Sequence, residues 1–126
     1  MRAGDVFAYY DGSDKHLWVV ISDPEIDATA FVVTVNLTSY GPTKEPACLL
    51  GPEDCPEFIT HQTCVFYEEA RPVSLVVLRR HLDSGKIVKQ GAVTAEVLEK
   101  IRCGAANTRR IPEGCRKILV EQGLIQ

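Results

Sequence analysis

Two histidines and three hydroxyl residues stand at the ends of segments that read as β-strands. His16 opens one apolar run, and Thr38 and Ser39 close a segment of alternating polarity. His61 and Thr63 open a third run. Histidine donates and accepts protons near neutral pH, and hydroxyl groups hydrogen-bond phosphate oxygens. Such groups suit metal-free cleavage of RNA by its own 2′-hydroxyl, provided that the three strand ends meet at one rim of a small barrel.

On this basis four residues are predicted to be catalytic, and each also has a structural interpretation. His61 follows an apolar Phe-Ile pair and could be a histidine that only supports the fold. Thr38 and Ser39 could simply hydrogen-bond the turn that follows their strand. His16 lies beside a turn and could be exposed without a role. Trp18 lies inside the apolar run and is predicted to belong to the core.

The charge balance limits how the chain could contact nucleic acid. The formal net charge of −3 disfavours broad, non-specific binding, which needs a positive surface. A local basic groove is compatible with that charge. We predict Lys15, Thr63, Arg79 and Arg80 as residues that contact RNA. The alternative for the two arginines is a charged surface that only faces water.

The number and spacing of the five cysteines do not indicate a disulfide framework or a zinc site. Their number is odd, and no CxxC pair is present. Cys55, Cys64 and His61 are close in sequence, but their spacing matches no zinc motif with paired ligands. We therefore predict no metal and no cofactor, and we interpret the thiols as small buried hydrophobic groups.

The elements that must position these residues are short strands separated by turn-forming segments. The predicted strands span residues 6–10, 17–21, 30–38, 47–50, 63–67, 74–78 and 86–90. Within the third strand, Phe31 and the odd-numbered residues to Leu37 are expected to face the core. Thr34, Asn36 and Thr38 fall on the other face, where they could line a shallow polar groove.

The last third of the chain changes to a helical pattern. Thr94 is predicted to cap one helix, which Gly104 would end. A second helix is predicted to begin with Pro112 and to end at Gly123, with Leu124 packing back in a Schellman motif. Strands followed by helices indicate an α+β, mostly β fold: a compact barrel with C-terminal helices.

Length and composition predict a single soluble domain. The chain has 126 residues, enough for one core. We expect a barrel core over residues 1–92 and a helical extension over residues 93–126. No apolar run approaches the roughly 20 residues that cross a bilayer, and the N-terminus lacks a secretory signal. The expected location is therefore cytoplasmic, without membrane contact.

Three segments occur in an order that is typical of a known family. Gly4-Asp5-Val6 opens the first strand, His-Leu-Trp-Val-Val-Ile-Ser spans residues 16–22, and Val-Asn-Leu-Thr-Ser spans residues 35–39. Together they resemble the PemK/MazF-like toxins of type II toxin–antitoxin systems. The resemblance covers most of residues 4–102. It implies an SH3-like barrel of the PemK/MazF/CcdB type that forms a homodimer.

The resemblance also implies an activity and a partner. Such a toxin is a hydrolase, an mRNA interferase that cleaves single-stranded RNA without a metal and is blocked by a small antitoxin protein. His16 matches the family's histidine, and Thr38 or Ser39 matches its catalytic hydroxyl. His61 falls near the family's second polar cluster.

One departure from the family pattern supports a second hypothesis. Leu17 stands where the resemblance places an arginine that stabilises the phosphate, and Trp18 stands where it places a proline. Leucine donates no hydrogen bond to a phosphate oxygen. Either Lys15, Arg79 or His61 takes over that role, or the chain is a catalytically impaired barrel that binds a protein, such as an antitoxin or a gyrase-like target. An unrelated SH3-like interaction module is a third interpretation.

Overall fold

The computed structural model describes residues 1–24 and 31–126. In chain order the elements are β1 (Asp5–Asp11), β2 (Asp14–Val20), β3 (Phe31–Ser39), β4 (Leu49–Leu50), β5 (Thr63–Ser74), α1 (Leu75–Ser84), β6 (Ile87–Ala92), α2 (Ala95–Asn107) and α3 (Glu113–Glu121). The strands form one curled antiparallel sheet in the order β4-β5-β3-β2-β1-β6. The predicted mostly β, α+β class with C-terminal helices is confirmed.

The first two strands form a tight hairpin that places His16 inside a strand rather than at its start. Asp11 pairs with Asp14, so only two residues make the turn. Gly12 has a φ of 62°, a left-handed conformation that glycine adopts without strain. Strand β2 therefore begins at Asp14, three residues before the predicted start, because pairing with β1 extends through its polar residues.

Strand β3 separates two apolar clusters, and its alternation predicts only the first of them. The main cluster takes the odd-numbered residues from Val33 to Leu37, and Val32 belongs to the second cluster on the other face. The expectation for Phe31 is wrong, because its side chain is 41% exposed at the first residue of the strand. The predicted first residue, Ala30, lies outside the described residues.

The predicted strand over residues 74–78 is the first turn of helix α1. Ser74 caps this helix, and its side chain accepts a hydrogen bond from the Val77 N–H at 3.5 Å. Leu75 and Leu78 are three residues apart, so both lie on one face and pack into the second cluster. The valines between them suggest a strand by type, but helical packing prevails over that propensity. Gly85 is the C-cap residue of this helix, with a left-handed φ of 78°.

Helix α2 begins as predicted and ends later than predicted. Thr94 accepts a hydrogen bond from the N–H of the third helical residue at 3.2 Å, which confirms the cap. Gly104 does not end the helix, which continues to Asn107. Instead, the absence of a side chain at Gly104 lets the buried Tyr67 approach, and the Tyr67 hydroxyl donates a hydrogen bond to the Ile101 carbonyl oxygen at 2.7 Å.

Helix α3 ends in the predicted Schellman motif. Gly123 has a φ of 72°, and the Leu124 N–H donates to the Leu119 carbonyl oxygen at 2.9 Å. Pro112 is the N-cap residue rather than the first helical residue. Both C-terminal helices share the main core with the sheet through Val97, Ile101, Ala105, Cys115 and Leu119. In residues 1–24 and 31–126, no helix has the length and apolar character needed to span a bilayer.

Candidate active site

Six of the eight predicted site residues line one cavity of about 360 Å³. They are Lys15, His16, Thr38, Ser39, His61 and Thr63. Leu17, Leu37, Phe58 and Ile59 form its apolar walls. We call this space the smaller cavity. The three predicted strand ends therefore meet, and proton-transfer groups lie beside hydroxyls in a partly apolar recess.

Antiparallel pairing accounts for this convergence. Leu17 of β2 pairs with Leu37 of β3, so the next residue back on β2, His16, lies beside Thr38. On the other side of β3, Ser39 pairs with Thr63 of β5. The residues just before Thr63 therefore reach the same edge of the sheet.

Hydrogen bonds orient the imidazole of His61. Its Nε2 lies 2.6 Å from Ser39 Oγ, and its Nδ1 lies 3.2 Å from Thr60 Oγ1. When Nδ1 donates to Thr60, Nε2 is the basic nitrogen and faces Ser39. Thr63, predicted to contact RNA, is buried, and its hydroxyl donates to the His61 carbonyl oxygen at 3.1 Å. Thr63 therefore holds the His61 backbone in place.

The predicted basic residues are divided between two regions. Lys15 lines the smaller cavity, and its ammonium donates to Gln90 Oε1 at 2.9 Å. It is the only lysine or arginine among the described residues that line this space. Arg79 and Arg80 are exposed on helix α1 and line neither cavity described in this section. Their position differs from the expected strand end because residues 74–84 form a cap and a helix.

A larger groove of about 650 Å³ adjoins the smaller cavity. His16 and Thr38 line both spaces. Thr34 and Asn36 line the larger groove as well, so the polar face of β3 forms its floor as the alternation predicts. We call this space the larger groove.

Cations cover two aromatic rings in the larger groove. The Arg71 guanidinium carbon lies 5.3 Å from the Trp18 ring centroid, and Lys44 Nζ lies 4.3 Å from the Phe66 ring centroid. The prediction that Trp18 belongs to the core is wrong. Trp18 shares the groove face of β2 with His16, two residues away, and it is only half-buried.

Leu17 lies on the opposite face of β2 from this groove. Its side chain packs against the main core and contributes to an apolar wall of the smaller cavity. Position 17 therefore carries no cationic side chain in place of the arginine that the resemblance implies. Arg71 and Lys44 instead provide positive charge in the larger groove. Sequence reasoning missed both residues, because β5 was expected to stop at residue 67 and Lys44 lies in a loop.

The cysteines are mostly core residues, as expected. Cys48, Cys55, Cys64 and Cys115 are buried, whereas Cys103 is exposed. Burial raises the pKa of Cys48, Cys55 and Cys115 to about 11, so these thiols stay protonated at neutral pH. Across residues 1–24 and 31–126, no group of three or more histidine, cysteine or carboxylate side chains is placed to hold a metal ion.

The curled sheet and its helices have the fold of MazF-type toxins. An endoribonuclease in complex with its cognate antitoxin from a mycobacterial species matches with a TM-score of 0.55 and 22% identity, over 89% of this chain and 95% of that chain. A chain of the Deinococcus radiodurans MazE–MazF complex matches in two crystal forms at 14% identity. Form II has a TM-score of 0.58 over 89% of this chain and 97% of that one, and form III has 0.53 over 98% and 97%. No protein-family model and no curated protein sequence matches the chain.

Proposed function

We propose that this protein is a MazF-like endoribonuclease that cleaves single-stranded mRNA in the cytoplasm without a metal ion. The observation that carries the proposal is the meeting of His16 and His61 in one cavity, beside the hydroxyls of Thr38 and Ser39. That cavity opens onto a groove lined by cations and aromatic rings, which suits an unpaired nucleic acid strand. The MazF-type fold supports the same activity.

The geometry suggests a role for each group. His61, with its Nε2 beside Ser39, accepts the proton of the RNA 2′-hydroxyl as that oxygen attacks phosphorus. His16, in the same cavity, donates a proton to the departing 5′-oxygen. Thr38, Ser39 and the Lys15 ammonium hydrogen-bond the phosphate oxygens as negative charge develops on them. The products are a 2′,3′-cyclic phosphate and a 5′-hydroxyl end.

The test is cleavage of mixed single-stranded RNA by the purified protein in excess chelator. We expect the wild-type chain to produce cyclic phosphate ends, and the Ser39→Ala/His61→Ala double variant to produce none. The variant also controls for a contaminating nuclease, because both proteins are purified identically. Equal cleavage by the two proteins would contradict the proposal. A wild-type chain that cleaves nothing but binds an antitoxin tightly would establish the alternative, a protein-binding barrel.

We also propose a homodimer that is bound by an antitoxin protein. The three structural neighbours described above are complexes with an antitoxin or with MazE. Large apolar side chains are exposed on this chain, with Val76 at 59%, Val88 at 45% and Phe31 at 41%. Contact between two copies of the chain would remove these apolar surfaces from water. Sedimentation equilibrium is expected to give twice the mass of 13.9 kDa, and a value of one chain at micromolar concentration would contradict the dimer.

A further inference from the structure

The larger groove contains a row of three side chains that crosses three neighbouring strands. Trp18 of β2 pairs with Asn36 of β3, and Asn36 pairs with Phe66 of β5. All three line the groove. We propose that Trp18 and Phe66 are stacking platforms for two unpaired RNA bases, and that Asn36 between them recognises a base edge. This inference rests on the proposed action on single-stranded RNA.

The spacing of the row suits two separate bases. Neighbouring strands lie about 4.8 Å apart, so Trp18 and Phe66 stand about 10 Å from each other across the sheet. A flat base can stack on each ring without contacting the other, and Asn36 lies between the two positions. Aromatic platforms of this kind bind single strands because every base presents a flat π-face.

Each ring is covered by a cationic side chain. Arg71 lies over Trp18 and Lys44 over Phe66, and the Arg71 side chain is 61% exposed with Glu69 4.0 Å away. Exposed cation–π contacts and surface ion pairs are weak, so an incoming base can displace each cation. The displaced ammonium or guanidinium then lies beside the strand, where it can bind a phosphate.

Asn36 has an acceptor that is suited to one kind of base edge. Its Nδ2 donates to the Leu17 carbonyl oxygen at 3.2 Å, which fixes the amide. No described residue donates a hydrogen bond to Asn36 Oδ1. Because that oxygen only accepts, it favours the exocyclic amino group of cytosine or adenine over uracil, whose one donor on this edge, N3–H, lies between two carbonyl oxygens that repel Oδ1.

Fluorescence tests the stacking directly, because Trp18 is the only tryptophan in the chain. The probe is a 2′-O-methyl oligoribonucleotide, which lacks the attacking hydroxyl and therefore reports binding without cleavage. We expect saturable quenching of Trp18 emission, and no quenching by an abasic strand of equal length and charge. Phe66→Leu should weaken binding about tenfold. The matched control is Tyr10→Leu, an exposed aromatic outside the groove, and it should bind as the wild type does.

The outcomes separate this inference from the proposed function. Equal quenching by the abasic strand, or cleavage of RNA with no change in Trp18 emission, would overturn the stacking and leave the endoribonuclease intact. Quenching without any cleavage would support the stacking and contradict the catalysis. An oligocytidine strand is expected to bind more tightly than oligouridine, and Asn36→Leu should remove the difference. Equal affinities of the wild type for these two strands would overturn the role of Asn36.

Discussion

The substitutions His16→Ala and His61→Ala are each expected to lower kcat for RNA cleavage by about 10²–10⁴-fold. This is the usual contribution of a positioned general acid or base. The two imidazoles line the same cavity, so each can move one proton of a single reaction. His61 is held by Ser39 and Thr60 on its two ring nitrogens, which fixes its direction without burying it. Loss of either imidazole leaves water to transfer that proton.

The third histidine of the chain provides the matched control. His81 lies on helix α1 and lines the larger groove but not the smaller cavity. We expect His81→Ala to keep kcat at saturating RNA within about threefold of the wild type. The measurement is single-turnover cleavage of a defined oligoribonucleotide, with circular dichroism to check that each variant is folded. A loss of kcat at His81 as large as at His16 would contradict the assignment.

Much of the site could be predicted because strand patterns are local. The alternation over residues 31–38 indicates a polar face, and that face forms the floor of the larger groove. The convergence of His16, Thr38 and His61 also depends on the pairing register of distant strands, which the sequence does not contain directly. The proximity of these three residues could therefore be predicted only on the assumption that the strands form a barrel.

Tertiary contacts, which sequence patterns do not show, decide the features that sequence analysis does not predict. A continuous apolar run does not reveal which residues face a core, so the sequence pattern predicts a buried Trp18 although its side chain faces the groove. The valine-rich stretch after Ser74 has strand propensity, yet the cap and the spacing of Leu75 and Leu78 make it a helix. Strand β5 extends to Ser74, where α1 begins, and it therefore includes Arg71. No sequence pattern singles out this arginine.

Gly104→Ala is expected to destabilise the fold by about 1–3 kcal/mol, the range typical of overpacking a tight core. A methyl group there would meet the Tyr67 hydroxyl at less than contact distance, with the Ala47 carbonyl oxygen and Cys48 Cβ each at 3.0 Å. Tyr67 is 1% exposed and cannot move toward solvent. The gain in helix propensity from alanine, about 1 kcal/mol, only partly offsets this clash. Urea unfolding with linear extrapolation gives the measurement.

A second helical glycine and a double variant show whether the clash is the cause. Gly114 lies in α3 with no atom near its would-be methyl group, so Gly114→Ala should stabilise the protein by up to about 1 kcal/mol. Tyr67→Phe alone should cost about 1 kcal/mol, because it removes the hydrogen bond to the Ile101 carbonyl oxygen. In that background Gly104→Ala should cost about 1–2 kcal/mol less than in the wild type, since the obstructing hydroxyl is gone. An equal cost in both backgrounds would instead place the obstruction at the Ala47 carbonyl oxygen and Cys48, which the phenylalanine leaves unchanged.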